Sequence, residues 1–524
     1  MRFGLIAFAV YYLYQKDEAP LETEENVVAE EKIEEINSMR LGMTKPDNLN
    51  PILSKNQNVQ DISKLIFEPL VQITEDFKAE YILADEISRT SDTSYLIKIR
   101  DDIKWHNGSS LVPSDVKFTI EKIQELGNES IYYSNVSNIE SVKLVGKTYL
   151  RIDLYEKQPL FEYSLNFPII CESFFGEDDL HDTERNNIPM GTGMYKIKNV
   201  DMSLQIELKI NEDWWNIGKV KPKLERIDIK IYSSASEVYN AYKLDSIDFL
   251  NTTRNTNVEK NIGTLGYNTK ESIGREFNYL VLNCTSEALS NKEVRQAISY
   301  AINREEIVNN AFGNKFIQAD YPLEYGSYLY NKNTYVYEYN TDKAKEILEN
   351  NGWNFSYKRW QKNIDGIRVI AKVDILVNSE NEVRVKAADI IKNNLEALGI
   401  QVNVISAKGN TYDYYLSNKY YDILITGINL GVSPSLERFF KEGNLANYES
   451  AETNTILNEI YTIEDDNILK QRYESLQKIY QDDRAYIGLC FNKITVIYSK
   501  NLAGTINPTW YNTFNNIDSW YRKK

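Results

Sequence analysis

Few residues in this chain have the type and spacing that chemistry needs. There are two histidines, His106 and His181, and three cysteines, Cys171, Cys284 and Cys490, none close to another. An HExxH zinc helix cannot be written from them, and no CxxC pair exists. Three cysteines cannot pair completely, so small apolar side chains are the expected role for all three. The commonest general base is nearly missing, and no G-x-S-x-G elbow occurs. Gly191-Thr192-Gly193-Met194-Tyr195-Lys196 permits a tight backbone but lacks the Gly-Lys-Ser/Thr ending of a phosphate loop. No catalytic residue, metal ligand or cofactor is assigned, and an enzyme is not expected.

A chain of 524 residues is too long for one simple core, and its net charge of −16 argues against a nucleic-acid partner, which needs a positive face. The 38 tyrosines pair an apolar ring with a polar tip, which suits surfaces and partly wet clefts alike.

The periodicity predicts an α/β protein. Phe277 to Leu282 are strand formers; Val294, Ala297, Ile298, Ala301 and Ile302 then follow at helical spacing. Earlier, residues 95–100 alternate as a strand, Asn107-Gly108 marks a turn, and Ser114 is placed as the N-cap of a helix over 115–126. Later, a strand at 373–377, a helix at 382–398 closed by Gly399, and strands at 400–405 and 422–426 imply parallel pairing through crossovers. A long helix ends near 481, and 485–498 return as a strand pair. Residues 251–272 are polar and rich in Asn, Thr and Gly, and are expected to cross between two lobes.

At the N-terminus, Arg2 precedes twelve apolar or aromatic residues, 3–14, and an acidic run follows. That length fits a secretory signal or anchor over 1–16 better than a membrane span, and 17–37 read as an acidic spacer. The protein is expected to be exported and membrane-associated.

Four segments in register carry a family resemblance. They are Ile99-Arg100-Asp101-Asp102-Ile103-Lys104-Trp105-His106-Asn107-Gly108 with Ser114-Asp115-Val116-Lys117-Phe118; Gly191-Thr192-Gly193-Met194-Tyr195; Val294-Arg295-Gln296-Ala297-Ile298 with Ala301-Ile302-Asn303-Arg304-Glu305; and Asp342-Lys343-Ala344-Lys345 through Gly352-Trp353. Together they resemble the family-5 extracellular solute-binding proteins, the peptide receptors of ABC importers, over roughly residues 38–520. The resemblance implies a two-lobed periplasmic-binding-protein fold of type II with an extra subdomain in the first lobe. It implies lobe I over 38–269 plus 484–524, the subdomain over about 71–187, and lobe II over 270–483. It also implies a monomer that captures a peptide or related polar solute by hinge closure and delivers it to permease subunits in the membrane. A membrane-tethered sensor that signals occupancy without transport is the alternative.

One departure bears on the ligand. Where the peptide receptors commonly carry Trp and, three residues on, an Asp for the peptide's α-amine, this chain has Ile428 and Gly431. A buried ammonium without a carboxylate is costly, so either another acid replaces the Asp or the solute is not a simple peptide. The expected solute contacts are Asn429 and Ser433 with Ile428 and Gly431 on this loop, and Asn48 and Asn50 on a first-lobe turn.

Overall fold

The computed structural model describes residues 35–176, 178–252, 267–334 and 336–524. The leader, nearly all of the acidic spacer and most of the segment expected to cross between lobes lie outside the described residues. The end of the spacer belongs to the fold, since Glu35–Ile36 pairs antiparallel with Tyr521–Lys523.

An 11-stranded sheet runs through both lobes. Its first-lobe part pairs Ser38–Thr44 in parallel with Arg226–Tyr232 and with Phe249–Asn251. Its second-lobe part pairs Lys372–Asn378 in parallel with Gln401–Ala407 and with Ile423–Asn429, as the strand, helix, strand order predicts. Glu382–Leu398 is the helix between the first two of these, closed by Gly399 at φ 96°. Two long antiparallel strands, Tyr267–Leu282 and Tyr486–Ser499, join the two parts. The expected strand pair after 485 is therefore one 14-residue strand, because its partner is this distant strand rather than its own continuation.

The register of that long pair breaks between Ile273 and Phe277. A Cβ on Gly274 would meet the Asn492 side chain at 2.3 Å, and the Asn492 Oδ1 accepts the Glu276 N–H at 2.8 Å. Arg275 thus sits in an irregularity of the crossing strand, where its side chain is re-aimed.

The span expected as a subdomain carries its own four-stranded sheet, ordered Ala84–Arg89, Ser94–Ile99, Tyr149–Leu154 and Ile139–Val145. The helix Pro113–Leu126 places Val116, Ile120 and Ile123 in the core. Its N-cap is Val112 rather than Ser114: Pro113 opens the helix and the Asp115 carboxylate accepts the Val112 N–H at 3.0 Å. First-lobe and subdomain side chains share one apolar cluster. The second lobe has a cluster on each face of its sheet, and one of them takes in Ile73, Leu160 and Tyr163 from the span expected as a subdomain. All three cysteines are free, with Cys171 and Cys490 buried. Among the described residues, no helix is long and apolar enough to cross a membrane.

Candidate functional site

Three of the four segments that carry the resemblance are knots of internal bonds. The Asp115 carboxylate takes the Trp105 indole N–H at 3.2 Å and the Glu172 N–H at 2.8 Å, which ties turn, helix and subdomain together. His106 accepts the Gly191 N–H on Nδ1 at 3.3 Å, so its proton is on Nε2, which donates to the Gly193 carbonyl at 3.1 Å. Burial pushes its pKa down to about 4, keeping the ring neutral. The paired glycines are explained by close approach: a Cβ at Gly191 would lie 1.9 Å from the Ile66 carbonyl oxygen. Thr192 between them donates to Glu68 at 2.8 Å, beside the Trp214 and Trp215 indoles at 2.9 and 3.0 Å. Burial raises the Glu68 pKa to about 7, with the three donors pulling it back.

The central helix Lys292–Ala301 is tied in the same way. Arg295 donates to the Asp483 and Leu289 carbonyls at 2.8 and 2.7 Å. Arg304 pairs with the buried Asp320, which also accepts from Arg484 and Gln481, both at 3.1 Å. Burial works against the Asp320 charge, but Arg484 and Arg304 outweigh it and hold the carboxyl below its usual range.

The side chains at the seam between the lobes belong to none of these segments. Arg275 donates to the Leu430 and Gly431 carbonyls and pairs with Glu324, with only 10% and 1% of the two side chains exposed. Its guanidinium lies 4.8 Å from the Trp510 ring and 5.6 Å from the Phe77 ring. Phe77 and Trp510, both from the first-lobe side, stack with centroids 6.1 Å apart. Phe77 holds φ at 65°, a left-handed conformation that a bulky residue adopts only when its surroundings enforce it. Next to it, the Tyr163 hydroxyl donates to the Phe77 carbonyl at 3.0 Å and lies 3.3 Å from the Tyr328 hydroxyl across the seam. Lys78 pairs with Asp466, again from one lobe to the other.

Beside this seam lies a cavity of about 660 Å³. Residues such as Tyr81, Tyr95 and Glu162 form one wall, and Tyr328 with residues 460–464 and Asp466 forms the other.

The expected contact residues divide into two groups. Ile428, Asn429, Gly431 and Ser433 are brought together on the loop that Arg275 grips, with Asn429 and Gly431 exposed and Ile428 and Ser433 half-buried. Asn48 and Asn50 share no hydrogen bond or ring contact with that loop among the described residues. Asn50 is buried and bonds Asn186 at 2.8 Å and the Ile52 N–H at 3.1 Å, while Asn48 accepts the Asn50 N–H at 2.9 Å. Arg275, Glu324, Phe77 and Trp510 escape sequence reasoning. The one local signal is an arginine following a glycine inside a long apolar-ended strand. Among the described residues, no group of three His, Cys, Asp or Glu side chains could hold a metal ion.

The comparisons with known proteins agree with this architecture. The model of the family described as bacterial extracellular solute-binding proteins, family 5 Middle, matches residues 78–445. The oligopeptide-binding protein AppA of Bacillus subtilis is 23% identical, over 91% of this chain and 90% of its own. The glutathione-binding protein GsiB of Escherichia coli K12 is 22% identical, over 87% and 89% of the two chains. Among solved structures, a nickel ABC transporter protein from Bacillus halodurans superposes with a TM-score of 0.75 at 19% identity, covering 93% of this chain and all of its own.

Proposed function

Because the chain belongs to the bacterial extracellular solute-binding proteins of family 5, we propose that it captures peptides between its lobes and delivers them to the permease subunits of an ABC importer. It acts outside the cytoplasm, as that family does, and in this reading its apolar leader holds it at the membrane. It is a monomeric carrier with no catalytic step. The oligopeptide- and glutathione-binding relatives support peptides as the solute class.

The observation that carries the reading is the seam, where Trp510 and Phe77 of one lobe cover Arg275 of the crossing strand. When lobe closure brings a solute against these aromatic walls, water is excluded and hydrogen bonds to a peptide backbone are strengthened. A solute shifts the lobes toward closure only by its preference for the closed form. The importer then reads the closed shape as occupancy. Asn429 and Ser433 offer polar contacts from the loop and Ile428 an apolar one, while Asn48 and Asn50 shape the opposite turn.

Gly431 stands where an amine-binding acid is usual, and its carbonyl is already taken by a guanidinium. The nearby Glu324 carboxylate is already paired with that guanidinium, so in this reading capture does not depend on a free N-terminus at this loop. A thermal-shift comparison of di- to hexapeptides with their N-acetylated forms tests this. Both forms should raise the melting temperature alike, and a ligand at 100 times its Kd adds about 2.7 kcal/mol of stability. If acetylation abolishes the shift, the free amine is an anchor after all. If the whole panel gives none, peptides are the wrong class.

A further inference from the structure

We infer that the cavity between the subdomain and residues 460–466 is a subsite for a cationic group, an ammonium or guanidinium on an alkyl or aromatic stem. The inference deepens the peptide-capture reading and rests on it for the solute's identity, though not for the chemistry of the cavity.

The charges around the cavity are unequal. Lys78 and Arg89 are its cations, and Glu80, Glu162, Glu464 and Asp466 its acids. Both cations are engaged: Lys78 with Asp466, and Arg89 with Asp92 and the Tyr461 carbonyl. Glu162 and Glu464 have no cation within ion-pair distance among the described residues. Glu162 is half-buried beside Leu160 and Tyr163, which makes an uncompensated charge there expensive.

The neighbouring tyrosines report the same field. Tyr81 is pushed up to about 12, chiefly by burial and then by the charges of Glu162, Asp466 and Glu464. Tyr95 is also pushed up to about 12, by burial and then by Glu162. Burial raises Glu162 itself, and Asp466 adds to the effect. A cation entering the cavity would face unpaired carboxylates and aromatic rings together, and both attract it.

The floor is apolar, with Leu160 and Leu469 buried beneath the rings, so a stem of several methylenes is accommodated as well as the charge. Because the two walls come from opposite lobes, a cation bound there contacts both and favours closure.

The test is calorimetric titration at low salt with three probes: an N-acetylated hexapeptide amide containing one lysine, the same peptide with norleucine in its place, and agmatine. The lysine peptide should bind at least about tenfold more tightly than the norleucine one. Glu162→Gln should reduce that preference to within about threefold without weakening the norleucine peptide. Glu464→Gln, at an exposed position, should reduce it partly and serves if the first variant misfolds. Peptide binding without a lysine preference overturns the subsite and leaves the peptide reading intact. Agmatine binding that depends on Glu162, with neither peptide bound, keeps the subsite and overturns the peptide reading. A preference that survives Glu162→Gln, or binding of no probe at all, overturns the subsite.

Discussion

The knots at Asp115, Gly191 and Asp320 and the seam at Arg275 draw their partners from different places. The knots are tied among neighbouring elements: Asp115 to Trp105 and Glu172, Gly191 to His106, and Asp320 to Arg304, Gln481 and Arg484, the last just ahead of the returning strand. The seam draws Phe77 and Trp510 from one lobe, and Glu324 and the loop at Leu430 from the other. The knots link side chains packed inside the fold, whereas at the seam Phe77 and Trp510 meet Arg275 from the other side of the interlobe boundary. Substitutions in a knot should therefore change stability and leave solute choice alone, and substitutions in the seam should do the reverse.

The largest effect is expected at Asp320. Replacing it with alanine leaves Arg304 and Arg484 buried without their carboxylate, and breaking a buried pair in this way costs about 3–5 kcal/mol. Urea denaturation should show that loss, with peptide affinity unchanged in whatever protein still folds. A loss under about 1 kcal/mol would mean that the charges relax into solvent and that the knot is not structural.

Next come two glycines that test the division directly. Alanine at Gly191 would drive a Cβ to within 1.9 Å of the Ile66 carbonyl oxygen, whereas at Gly431 it meets nothing within 4 Å. The first should destabilise by about 1–3 kcal/mol, and the second should stay within about 0.5 kcal/mol. Equal melting temperatures for the two variants would contradict the close approach.

These glycines also show what a sequence can reveal. The strand, helix, strand order from 372 to 429 is written in local periodicity, and so the fold was legible. The segments that form the knots were legible too, because a knot needs particular residue types at fixed spacing: two glycines where backbones touch, or an Asp that reaches three residues back. The seam follows no such rule. Phe77, Arg275 and Trp510 are far apart in the chain, each has an ordinary type, and only the tertiary fold brings them together. Asn50 shows what turn chemistry leaves out, since its side-chain amide bonds Asn186 and the Ile52 N–H inside the fold.

A fourth variant addresses the seam. Trp510→Ala removes the ring that covers Arg275 and stacks on Phe77. Stacking and cation–π contacts at a partly desolvated site amount to about 1–2 kcal/mol, so peptide affinity should fall by about tenfold. Stability should change by less than roughly 1 kcal/mol, because the ring is only half-buried. A large melting shift with unchanged affinity would move Trp510 to the knots.

The smallest effect is hidden by compensation inside one knot. Glu68, raised from 4.5 to about 7 by burial, is more readily protonated in the folded chain, so its contribution to stability is complete below pH 4.5 and is lost as the pH rises through 7. His106, lowered from 6.5 to about 4 by burial, behaves oppositely: its contribution is complete above pH 6.5 and is lost as the pH falls through 4. Between pH 4.5 and 6.5 the two slopes oppose each other, so the pair adds little pH dependence to the native protein there. Glu68→Gln keeps an acceptor for the two indoles and removes one slope. The melting temperature of this variant relative to the native protein should climb from pH 4.5 to 7 and be level on either side. A level difference across the whole range would show that Glu68 stays ionised beside its three donors, and that the knot holds a charge rather than a proton.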